Sequence, residues 1–110
     1  MMYYDFNAGN KAYKLRLNTR NTIALEKQLG CNPLAVFGDG ETVPTITVMV
    51  AILHASLQQY QHGITMADAA DIFDDYLADG NAATDFIPVI LEIYRASGLI
   101  RDIEVEEGKN

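Results

Sequence analysis

The chain has 110 residues, 49% of them apolar, enough for one domain with its own core and no need of metal or disulfide support. Its one cysteine, Cys31, excludes an internal disulfide. Its net charge of −7 opposes phosphate backbones and anionic lipid, so neither sequence-independent nucleic-acid binding nor membrane docking is expected. That charge is unevenly placed. Residues 1–27 carry five bases against two acids, the remainder three bases against thirteen acids, and no Lys or Arg lies between Gln28 and Tyr94. A bipolar chain suits docking on a partner of opposite sign or stacking on copies of itself. The start lacks a basic stretch followed by an apolar one, and no apolar run is long enough to span a bilayer, so the cytoplasm is the expected location.

Tyr3-Tyr4-Asp5-Phe6 favours strand, Asn7-Ala8-Gly9-Asn10 is a turn cluster, and Tyr13-Lys14-Leu15-Arg16-Leu17 alternates apolar and polar residues. Together they predict a β-hairpin over 1–17, with Tyr13, Leu15 and Leu17 inward and Lys14 and Arg16 in solvent. Asn18 or Thr19 caps a helix to about Leu29, with Ile23, Ala24, Leu25 and Leu29 on its apolar side and Gly30 closing it. Asn32-Pro33 restarts a short helix that buries Leu34 and Phe37, and Gly38-Asp39-Gly40 ends it in a flexible loop. Pro44 or Thr45 opens a helix to about Gln61, closed by Gly63. Its first part, Ile46 to Leu53, is apolar nearly all round, which places it at the domain centre or under a partner.

Thr65 with Asp68 three residues on marks another helix start. Met66, Ala69, Ala70, Phe73 and Leu77 form one stripe of that helix, and Asp68, Asp71, Asp75 and Asp79 lie opposite. A last helix spans Thr84 to Ser97, with Pro88 in its first turn and Phe86, Ile90, Ile93 and Tyr94 on its core face. The fold class is therefore α+β, mainly α. A single domain covers 1–100, made of the hairpin and four to five helices bundled over 19–97, and residues 101–110 are expected to form an acidic, frayed tail.

Candidate chemistry is sparse. His54 and His62 are eight residues apart, about 12 Å by helical rise, too far to share a metal. Asp68, Asp71, Asp74, Asp75 and Asp79 lack the central Gly and terminal Glu of a calcium loop, so a solvated helix face is the plain reading and a contact patch for a basic partner the functional one. Cys31 lies next to a short helix start, where a thiolate could be stabilised, but no histidine is near in sequence and a buried, inert thiol is expected. Gly38-Asp39-Gly40 lacks the pattern of a phosphate loop. No nucleophile–base–acid set can be assembled. The expectation is a protein with no catalytic, cofactor-binding or metal-ligating residues.

Leu15-Arg16-Leu17-Asn18-Thr19-Arg20, followed by Ala24-Leu25-Glu26, Leu29-Gly30 and Asn32-Pro33-Leu34, resembles the tail assembly chaperones of long-tailed bacteriophages and phage-like elements. The order of elements matches from about Tyr13 to Ile100. The resemblance implies a non-enzymatic role: binding the long, helical, aggregation-prone tape-measure protein, keeping it soluble, and helping to recruit tail-tube subunits. Such a role needs exposed apolar grooves on a charged body. The helix Ile46–Tyr60 and the face Phe86–Tyr94 hold more apolar residues than one small core needs, and the surplus could serve a partner or a homo-oligomer. The candidate partner-binding residues are Val48, Ile52, Phe86, Ile90 and Tyr94, with Asp71 and Asp75 on the acidic face. The competing function is an acidic inhibitor or DNA mimic that blocks a nucleic-acid-binding enzyme.

Overall fold

A computed structural model describes residues 2–37 and 43–101. The expected Gly38-Asp39-Gly40 loop and nearly all of the 101–110 tail lie outside the described residues. The described residues form a two-stranded antiparallel hairpin and then four α-helices. β1 (Tyr4–Ala8) pairs with β2 (Lys11–Leu15) in the register Tyr4 opposite Leu15 to Ala8 opposite Lys11. Gly9 and Asn10 join them with φ of 59° and 66°, the two positive values that a type I′ turn requires. Past β2 the chain continues extended far enough to bury Leu17 as well as Leu15. Tyr13 is half-buried, less than expected. Arg16 departs further from the expectation: it is half-buried rather than in solvent, because β2 ends beside the next-but-one helix and the Arg16 N–H donates to the Ser56 carbonyl at 2.9 Å.

α1 (Thr19–Leu29) starts at Asn18, whose side-chain oxygen accepts from the Asn21 N–H, and ends at Gly30 with φ 72°. Only Leu25 is buried on it, Leu29 is half-buried, and Ile23 and Ala24 are exposed. The helix lies on the outside and covers the core with one narrow stripe, so two of its four expected core residues face solvent. A 3₁₀ turn follows over Pro33–Phe37. At three residues per turn, the inward stripe becomes Pro33 and Val36. Leu34 is therefore 40% exposed, and Phe37 is half-buried with its ring edge-on to Tyr94, correcting the expected burial of both.

α2 (Ile46–Leu57) is capped by the Thr45 hydroxyl, which accepts from the Val48 N–H. Met49–Leu53 and Ala55–Leu57 are all buried. The helix apolar on every side thus fills the centre, touching β2, α1, α3 and α4. It ends four residues before Gln61, and glutamine side chains share its last carbonyls. Gln58 Nε2 donates to the His54 carbonyl and the Ile64 carbonyl, and Gln61 Nε2 to the Leu57 carbonyl.

α3 (Met66–Ala78) opens with a full capping box between Thr65 and Asp68. Its buried stripe is Ala69, Ile72, Phe73 and Tyr76, while Ala70 is exposed and Met66 and Leu77 are half-buried. The stripe is rotated from the expected one because the aromatic residues choose it. Phe6 lies 5.1 Å from Tyr76 and 5.8 Å from Phe86, and Phe73 lies 5.3 Å from Phe86, centroid to centroid, within the range of favourable edge and tilted ring pairs.

A 3₁₀ turn over Ala83–Asp85 leads into α4 (Phe86–Ala96), with Pro88 in its first turn. Phe86, Ile90, Ile93 and Tyr94 are buried, as the sequence pattern required, and Val89 joins them. The Leu17 N–H donates to the Ser97 hydroxyl at 2.8 Å, tying the end of α4 back to the hairpin exit. No helix of the described residues is long and apolar enough to cross a membrane.

Candidate interaction surface

The core uses up most of the residues that the apolar surplus offered to a partner. Ile52, Phe86 and Ile90 have no exposed surface, and Tyr94 has 1%. Their side chains belong to the core cluster, so as surface contacts these four are corrected. Val48 is half-buried at the rim of α2. Asp71 and Asp75 are exposed on α3, where an acidic face can meet a partner. The exposed apolar side chains are others: Ile23 on α1, Leu34, Val43 and Ile46 in or beside the connection from α1 to α2, and Tyr60 and Met2.

The charges are segregated along the sequence. Among the described residues Arg95–Glu92, at 2.8 Å, is the one ion pair. Among the described residues Lys11, Lys14, Arg16, Arg20 and Lys27 thus have no carboxylate within ion-pair distance, and the α3 aspartates have no cation. Two of those carboxylates have structural work. Asp79 Oδ2 accepts from the Gly9 N–H at 2.9 Å, fastening the hairpin turn to the end of α3. Asp68 Oδ2 accepts from the Thr65 N–H at 3.0 Å, which holds its carboxyl below the usual carboxylate range. Asp71, Asp74 and Asp75 accept no hydrogen bond from any described group and stay in solvent.

On the basic side, the Lys14 ammonium stands 4.9 Å from the centroid of the Tyr3 ring and 5.9 Å from that of Tyr60, inside cation–π reach. The two rings meet edge-on at 5.5 Å. The Lys14 backbone is gripped by Gln61, whose Oε1 accepts from its N–H and whose Nε2 donates to its carbonyl. Arg16 Nη1 donates to Gln59 Oε1 at 3.2 Å, and Arg16 Nε is buried without a partner among the described residues. No local pattern announced the links to Gln59, Tyr60 and Gln61, since they join residues more than forty positions apart. The alternation that exposes Lys14 was the only available signal.

Neither histidine assembles a site: His54 is half-buried and His62 exposed. Among the described residues no three of His, Cys, Asp and Glu are grouped to hold a metal ion. Cys31 is exposed, correcting the expected burial, because the turn that carries it lies outside the Pro33 contact. The Tyr94 hydroxyl donates to the Pro33 carbonyl at 2.7 Å; burial, with a smaller contribution from Cys31, holds its ionisation well above the ordinary tyrosine value.

A family model described as a family of unknown function, DUF6096, matches residues 5–109. The chain has no match among curated proteins and none among solved structures.

Proposed function

The chain belongs to DUF6096, a family of unknown function, and we propose that it is a non-enzymatic tail assembly chaperone of the long-tailed phage type. It binds a tape-measure protein in the bacterial host cytoplasm and helps to recruit tail-tube subunits. The resemblance carried by Leu15–Arg20 and Ala24–Leu34 supports the identity of the partner. Those residues have structural reasons to recur: Leu15, Leu17 and Leu25 are core, Asn18 caps α1, Gly30 ends it, and Pro33 is buried with its carbonyl on Tyr94.

The observation that carries the protein-binding role is a set of charges with one ion pair among the described residues, on a body that also exposes apolar side chains. A body that leaves its charges unpaired keeps them for steering and holding a partner, and stays soluble while doing so. The acidic face fits a DNA mimic less well. Five aspartates spread over α3 span about 17 Å by helical rise, a length over which duplex DNA carries roughly ten phosphates.

Co-expression with the tape-measure protein of the same genome tests the proposal. The tape-measure protein stays in the soluble fraction and co-purifies with the chain. Its precipitation whether or not the chain is present sinks the reading. Displacement of DNA from a basic enzyme, with no effect on the tape-measure protein, replaces it with the mimic.

A further inference from the structure

We propose that the outer edge of β1 pairs with the same edge of a second copy of this chain, antiparallel about a two-fold axis at Phe6, so that two hairpins form one four-stranded sheet. This does not rest on the chaperone reading. The type I′ turn makes Ala8 and Lys11 a hydrogen-bonded pair, and alternation along an antiparallel ladder follows from it. Ala8, Phe6 and Tyr4 turn their N–H and C=O groups toward β2, whereas Asn7 and Asp5 turn theirs away. The same alternation turns Lys14 and Arg16 outward from β2, which agrees with their observed bonds.

The two edges are finished differently. On β2 the Gln61 amide takes both the N–H and the carbonyl of Lys14, and the Ser56 carbonyl takes the N–H of Arg16. That edge is closed by the end of α2. On β1 the Gly9 N–H is taken by Asp79. The outward backbone groups of Asp5 and Asn7 have no partner among the described residues, and both residues are exposed. An unpaired edge is a template for another strand.

Local side-chain complementarity and the Asp79 bond select the occupant and the register. A two-fold axis at Phe6 sets each Asp5 opposite Asn7 of the second copy, an acceptor beside an amide donor, twice over. An axis at Asp5 would oppose the two Asp5 carboxylates. An axis at Asn7 would need the Gly9 N–H that Asp79 already holds. The edge therefore complements itself in one register. Each copy carries −7, so long-range repulsion opposes the pairing and added salt strengthens it.

Sedimentation of the full chain over a concentration series, at low and high salt, tests this. A monomer–dimer equilibrium that tightens with salt is expected. Asn7→Asp opposes two carboxylates at both pairs and weakens the dimer about tenfold, while the double variant Asp5→Asn/Asn7→Asp recreates the pair in reverse and restores it. Ala24→Asp on α1 adds the same charge away from the edge and leaves the dimer near its original strength. Circular dichroism and melting confirm that each variant is folded. Hydrogen exchange adds a local readout: the Asp5 and Asn7 amides gain protection with concentration, and that of Gly9 does not. A chain that stays monomeric up to about 1 mM, a dimer indifferent to Asn7→Asp, a double variant as weak as the single, or Asp5 and Asn7 amides protected only when a different protein is added would each overturn the proposal.

Discussion

Gly9 sits at φ +59°, and a Cβ built there would lie 2.9 Å from Asp75 Oδ2 and 3.1 Å from its Cβ. Both the backbone and the space refuse a side chain. Gly9→Ala is expected to cost roughly 1–3 kcal/mol, read as a lower urea midpoint with an unchanged slope. Tyr94 is the corresponding case in the core. Its hydroxyl anchors Pro33, so Tyr94→Phe removes one buried hydrogen bond at about 0.5–1.5 kcal/mol. Burial first, and then nearby charge or a neighbouring phenol or thiol, raises the ionisation of Tyr94, Tyr76 and Tyr13. A raised folded value means that the unfolded chain loses its phenolic protons first. The stabilisation is complete below about pH 10, the unfolded tyrosine value, and drains away as pH rises through the higher folded values. Melting temperature should therefore fall above that pH, and Tyr94→Phe should flatten the fall. At this scale the sequence spoke clearly where a residue acts on its own neighbours, as in the Gly9-Asn10 turn. It was silent where the partner is distant, as with Asp75 beside Gly9 or Pro33 under Tyr94.

The helices show the same division between local and distant causes. Asn18, Thr45 and Thr65 cap α1, α2 and α3 with their own side chains, and each was legible because a cap needs only the next three residues. Thr65→Ala should cost about 1 kcal/mol of stability by chemical denaturation. The Thr65 backbone N–H, and then its hydroxyl, lower the ionisation of Asp68. A lowered folded value stabilises above the unfolded carboxylate range and is lost as pH falls through it, so the Thr65→Ala penalty should shrink in acid. The faces of the helices were read less well. Ile23 and Ala24 are exposed because α1 buries one narrow stripe, and Leu34 because a 3₁₀ turn repeats every three residues. On α3 the buried stripe belongs to Ile72 and Tyr76 because Phe6 and Phe86 stack there, a choice that one helix pattern cannot contain.

For the molecule as a whole, the split between core and surface decides which residues can serve a partner. Periodicity found Phe86, Ile90 and Tyr94 as a coherent face but could not say whether a neighbouring helix or another protein covers it. Ile52 posed the same question at the centre of α2. All four lie in the core. Ile90→Ala is therefore expected to destabilise the fold by roughly 2–5 kcal/mol, and any loss of binding should follow its melting temperature. Asp71 is exposed and bears no structural bond, so Asp71→Lys should change stability by less than about 0.5 kcal/mol while weakening a partner held by the acidic face. The charge asymmetry was visible in the sequence, though its lack of pairing among the described residues was not. The most direct test of the chaperone reading is the soluble fraction of the tape-measure protein co-expressed with the wild-type chain, with Asp71→Lys, or with neither. The account predicts high, reduced and negligible recovery, in that order. Equal precipitation in all three would contradict it.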